Sequence, residues 1–153
     1  MPLTNKKWNE FISKDKRPPA GIVICFDDKD RVLILRRSKI DKRAGQWTIP
    51  GGHIDATDDS IEAGAARELK EETGLTCDPT KLIYIGEPRT EKFYFLAPFW
   101  DGNVNVNIPN PETGEIEHDA YRWASIDDVK DIDNTEIPIY LLDKALEMSK
   151  NAK

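Results

Sequence analysis

The stretch Pro50 to Leu75, PGGHIDATDDSIEAGAARELKEETGL, decides how the rest of the chain is read. It opens on a glycine pair, where the backbone can turn or approach something closely. It passes through the polar loop HIDATDD into an alanine-rich run carrying Glu68, Glu71 and Glu72. The spacing predicts a helix at about 60–73: Asp59 precedes Glu62 by three positions, as in a capping box, and Gly74 follows the last periodic residue as a C′ glycine does. At 100° per residue the three carboxylates fit an arc of about 100°. Like charges so placed cost a free helix a few tenths of a kcal/mol each. Gly64 and Ala65 share that arc and read as a clearing above the acids, whereas Ala63, Ala66 and Leu69 read as the packing side. By composition alone such a run is more often a solvated acidic face. Clustered carboxylates beside small residues and a glycine pair also suit a hard divalent cation such as Mg²⁺, which binds carboxylate oxygens together with water and substrate phosphates.

Around this stretch, residues 21–26 (GIVICF) and 31–36 (RVLILR), joined by the acidic linker DDKD, predict a β-hairpin. RSKIDKRAGQ is a polar loop and WTIP a short extended piece. Downstream, KLIYIGEP, KFYFLAPFW and HDAYRWASI have β-type composition. Ser125 predicts the N-cap of a short helix at 126–131, and Ile139, Leu142 and Leu146 fall at helical spacing. Residues 1–17 carry one apolar stripe, Trp8, Phe11 and Ile12, and read as an arm or short helix. The order predicts an α+β protein, an α/β/α sandwich on a mixed β-sheet, and not a repeating βαβ chain.

The 153 residues suit a single domain, 1–153, with one hydrophobic core. A formal net charge of −6 argues against a nonspecific nucleic-acid binder, so cations must mediate contact with any phosphate. No apolar run approaches the roughly 18 residues that span a bilayer, and residues 1–20 lack a signal-peptide core, so the expectation is a cytoplasmic protein without a membrane partner. Cys25 and Cys77 lack metal-site spacing and read as plain thiols.

Gly52 and, fifteen positions further on, Arg67-Glu68-Leu69-Lys70-Glu71-Glu72-Thr73-Gly74-Leu75 resemble the Nudix box, G-x₅-E-x₇-R-E-U-x-E-E-x-G-U with U aliphatic. Six fixed residues coincide, a chance match of roughly 1 in 10⁵ in a chain this long. The loop HIDATDD carries one residue more than the pattern, so the family's first glutamate is matched by Asp59, or by Asp58 if the insertion lies later. The resemblance implies an α/β/α sandwich of the Nudix type, with residues 60–73 as the Nudix helix and a C-terminal helix. It implies Mg²⁺ or Mn²⁺ on Glu68, Glu71, Glu72 and the Gly52 carbonyl, with Arg67 orienting the glutamates. The general base is a box glutamate such as Glu71 or a late-loop acid; Glu117 stands where such an acid occurs, and Glu115 and His118 are rivals.

Other groups come from position alone. Arg36 and Arg37 end a strand, so by alternation one of them faces the substrate side. His53 lies beside the metal residues, and Trp47, Phe95, Phe99 and Trp100 include possible stacking partners for a base. The resemblance implies a pyrophosphohydrolase acting on a small-molecule nucleotide: a nucleotide sugar, ADP-ribose, a dinucleoside polyphosphate or a (d)NTP. The alternative is a catalytically inactive Nudix-fold nucleotide-binding sensor. Many relatives form homodimers, and by that analogy a dimer is possible here.

Overall fold

A computed structural model describes residues 18–89, 91–133, 135 and 137–152. The arm or helix expected over residues 1–17 lies outside them. In chain order the elements are β1 (Ala20–Ile24), β2 (Val32–Arg37), β3 (Trp47–Thr48), β4 (Gly51–His53), α1 (Ile61–Thr73), β5 (Ile83–Arg89), β6 (Lys92–Leu96), β7 (His118–Ala124), α2 (Ile126–Lys130) and α3 (Ile139–Ala152). One sheet has the order β4-β1-β6-β5, the other β3-β2-β7. The β1–β6 pair is parallel and the rest are antiparallel, so the strands are mixed as expected.

The hairpin expectation needs correcting. Both strands form, but β1 and β2 belong to different sheets. Between them remain an isolated Phe26–Val32 bridge and the Leu33 N–H donating to the Cys25 carbonyl at 3.0 Å. Each strand pairs over a longer stretch elsewhere, β1 with β6 and β2 with β7. The tight connection is still real: the Asp27 carboxylate accepts the N–H groups of Lys29 and Arg31 and the Arg31 side chain.

Alternation along the strands builds two cores. Ile22, Ile24, Val32, Ile34 and Leu96 pack with Val129 of α2 and Leu141, Leu142 and Ala145 of α3. Val23, Cys25, Leu33, Leu35, Phe93 and Phe95 pack with Ile61, Ala65 and Leu69 of α1. Strands covered on both faces read as continuous apolar runs, which is why GIVICF and VLIL show no polar alternation. The result is the expected α/β/α sandwich. Among the described residues no helix is long and apolar enough to cross a membrane.

Candidate active site

Helix α1 supplies the acids. Its N-cap is Ser60, whose hydroxyl accepts the Ala63 N–H at 2.9 Å, and not Asp59. Gly74 ends it in the left-handed conformation at φ 79°, as expected. The small residues on the acidic arc correct the sequence reading. Gly64 and Ala65 leave no clearing, because a Cβ at Gly64 would lie 2.6 Å from Ile54 Cδ1, and Ala65 is fully buried against Gly21 of β1. Ala63 and Ala66 are only half-buried. The buried stripe therefore runs through Ile61, Ala65, Leu69 and Glu72, and the acidic arc overlaps it.

That overlap makes the carboxylates unusual. Glu72 is buried, and burial together with the charges of Glu68 and Glu117 pushes its carboxyl well above the usual range, although the Gly51 N–H donates to it. Burial also raises Glu68, to about 7; neighbouring Arg67 opposes the rise, and Glu71 and Glu117 add to it. Gly52 lies directly over Glu68, whose carboxylate carbon would stand 2.5 Å from an added Cβ.

Arg67 is the hub of this end of α1. Its Nε and Nη2 donate to Asp58 Oδ1 and Oδ2 at 2.9 and 3.0 Å, and Nη1 donates to Glu68 Oε1 at 3.2 Å and Glu71 Oε2 at 3.1 Å. Asp58, which also accepts the Asp55 N–H, therefore answers Arg67 by a bidentate pair. Of the two aspartates open on sequence grounds, Asp58 holds this place.

Two further groups arrive from the start of β7. Glu117 lines the same small cavity as Glu68, Glu71 and Glu72, with its Oε1 accepting from Asn110 Nδ2 at 2.7 Å. Next to it His118 is buried, its Nε2 3.7 Å from Glu72 Oε1 and without a hydrogen-bond partner. Burial and the Arg37 charge push its pKa down to about 4, so at neutral pH the contact with Glu72 is not an ion pair. The sequence offered His118 as a rival to Glu117 for the general base. The β7 register sets it opposite Arg37 of β2, buried beside Glu72.

The NUDIX domain model matches residues 15–144. The chain belongs to this family. It is 32% identical over 106 residues to the 8-oxo-dGDP phosphatase NUDT18 of Danio rerio, covering 68% of this chain and 31% of that protein. It is 29% identical over 153 residues to the RNA pyrophosphohydrolase of Rickettsia bellii, covering 84% of this chain and 86% of that one. The MutT protein from Methanosarcina mazei Go1 superposes with a TM-score of 0.60 at 26% identity, covering 91% of this chain and 98% of that one. This chain spans less than a third of the length of the NUDT18 relatives it matches.

The Nudix box borders a cleft of about 590 Å³. Arg37, His53, Gly52, Arg67, Glu68, Glu71, Glu72 and Glu117 line it; Arg36, Trp47 and Glu115 do not. Arg36 points away, paired with Asp119 at 2.7 Å and lying over the Trp47 ring. Trp47 is half-buried against the α3-side core. Phe95 sits in the α1-side core, Trp100 stacks on Trp123, and Phe99 is exposed beside Lys81.

Among the described residues no three carboxylate, imidazole or thiol groups converge as a ready-made metal cage. Glu68 and Glu71 turn instead to Arg67. The donor chemistry still suits a divalent cation: Glu68 and Glu72 are raised by burial and by neighbouring carboxylates, and rotation of Glu68 and Glu71 away from Arg67 would supply oxygens.

Proposed function

We propose that this Nudix chain hydrolyses a phosphoric anhydride in a nucleoside diphosphate bearing a further group, or in a (d)NTP, with Mg²⁺ or Mn²⁺ held by Glu68, Glu71, Glu72 and the Gly52 carbonyl. The observation that carries this reading is the convergence of the α1 carboxylates and of Glu117, more than forty residues away in sequence, on one edge of a single cleft. The bound cation would neutralise the bridging phosphates and make a water more acidic. Glu117 takes the proton of the attacking water as its oxygen bonds to one phosphorus. The bond from that phosphorus to the bridging oxygen breaks, giving NMP and a phosphorylated remainder, or NMP and pyrophosphate. Arg67 holds Glu68 and Glu71, and Arg37 and His53 face the outer phosphate oxygens.

No Phe, Trp or Tyr among the described residues lines the cleft, so the grip falls on phosphates more than on the base. The names of the relatives fit this, since an 8-oxo-dGDP phosphatase and an RNA pyrophosphohydrolase both act on phosphate groups and differ in what carries them. A panel of dGTP, 8-oxo-dGDP, ADP-ribose, a nucleotide sugar and diadenosine tetraphosphate, assayed with Mg²⁺, with EDTA and with Glu71→Gln, tests the reading. Turnover with Mg²⁺ is expected, abolished by EDTA and lowered about 100-fold or more by the variant. Turnover that survives EDTA overturns the proposal; nucleotide binding without turnover makes the chain a sensor.

A further inference from the structure

The turn at 110–115 brings an additional side chain to the site. The Asn110 backbone N–H donates to the Glu115 carbonyl at 2.8 Å, and its own carbonyl accepts the Gly114 N–H at 2.8 Å. Its side-chain Oδ1 accepts the backbone N–H groups of Glu112 and Thr113 at 2.8 and 3.2 Å. Those two donors fix the orientation of the amide, because the flipped amide would set NH₂ against two N–H groups. Nδ2 is thereby aimed at Glu117 Oε1, 2.7 Å away. Ser38 secures the main chain: its N–H donates to the Glu117 carbonyl at 2.9 Å and its hydroxyl to the Ile116 carbonyl at 2.7 Å.

Glu117 needs such a hold. It shares its cavity with Glu68, Glu71 and Glu72, and its charge raises both Glu68 and Glu72, so a donor that fixes one of its oxygens keeps the carboxylate in place among other acids. A turn of this kind requires only an oxygen acceptor at its first position, which aspartate or serine also provides. The Nδ2 donor is the part of Asn110 that the turn does not use.

The geometry points to Asn110 as the positioning residue for the Glu117 carboxylate, holding one of its oxygens so that the other meets the attacking water. This rests on the hydrolase reading above.

Asn110→Ser keeps a turn acceptor and removes the donor, and Asn110→Asp keeps the turn and sets a carboxylate against Glu117. With dGTP, ADP-ribose and diadenosine tetraphosphate as probes, Asn110→Ser is expected to lower kcat about 10- to 100-fold with KM within about 3-fold. Asn110→Asp is expected to lower kcat further, and neither variant to lower Tm by more than about 2 °C. In a Glu117→Gln background either substitution adds less than about 3-fold, because no carboxylate is left there to act as the base. Crystal structures without nucleotide are expected to show the Glu117 carboxylate displaced by about 1 Å or more in Asn110→Ser relative to wild type. Wild-type kcat with an unmoved Glu117 carboxylate in Asn110→Ser overturns the inference. If the wild-type chain turns over none of the probes with Mg²⁺, the hydrolase reading falls, and the crystal structures still decide whether Asn110 holds the carboxylate.

Discussion

A methyl group added at Gly52 would run into the Glu68 carboxylate, whereas one added at Gly51 would meet the Gly21 carbonyl oxygen at 2.6 Å and Ile22 Cα at 2.8 Å. The neighbouring glycines therefore fail differently. Gly51→Ala forces β4 off β1, and the overpacking is expected to cost about 1–3 kcal/mol of stability. Gly52→Ala displaces a flexible side chain instead, so Tm should hardly move. Turnover should fall about 10- to 100-fold, since a misplacement of about an ångström suffices for that. Thermal melts set beside kcat for the two variants check this; a Gly52→Ala protein with wild-type kcat would remove Glu68 from the machinery. At this scale the box residues were legible in the sequence, and their surroundings were not. Asp58 stood as the alternative to Asp59 for the place of the pattern's first glutamate, and only the folded loop aims its carboxylate at the Arg67 guanidinium.

Helix α1 was readable to within one residue at its start, and Gly74 marked its end. Its cap and its packing face were not readable, for one physical reason: Asp59 and Ser60 are both good N-caps, and an alanine-rich helix has no apolar stripe strong enough to set its rotation. The sheet sets it, by pressing Ala65 against Gly21 until an added Cβ there would lie 2.8 Å from the Ala65 Cβ. Ser60→Ala is expected to destabilise the protein by about 1 kcal/mol, and Asp59→Ala to stay within about 0.5 kcal/mol of wild type. Urea melts of both would show it; equal losses would mean that the cap is shared.

Across the whole molecule, the buried site sets opposing responses to pH. Burial lifts Glu68 from 4.5 to about 7, so the unfolded chain releases that proton first and metal-free stability falls as pH rises from about 4.5 to 7. Burial lowers His118 from 6.5 to about 4, so the unfolded chain takes up that proton first and stability falls as pH drops from about 6.5 to 4. The two slopes oppose each other in the wild-type protein. In EDTA, Glu68→Gln should therefore lose Tm on acidification more steeply than wild type, and His118→Asn should gain Tm over the same range. Parallel Tm–pH curves for the three proteins would contradict this account. The two opposing responses arise on α1 and β7, elements that the sequence could only place one after the other.

By itself the sequence determined most of the element order, the Nudix box and the family, because these rest on local spacing: an acid every three or four residues, apolar runs of strand length; the glycine pair, read as a turn, forms strand β4 because β1 pairs with it. Tertiary structure decided which strands pair, that Arg37 and not Arg36 turns to the cleft, that Trp47 does not, and that Glu117, His118 and Asn110 meet the box. Those outcomes depend on register and on contacts between residues far apart in the chain, and local spacing carries no record of either.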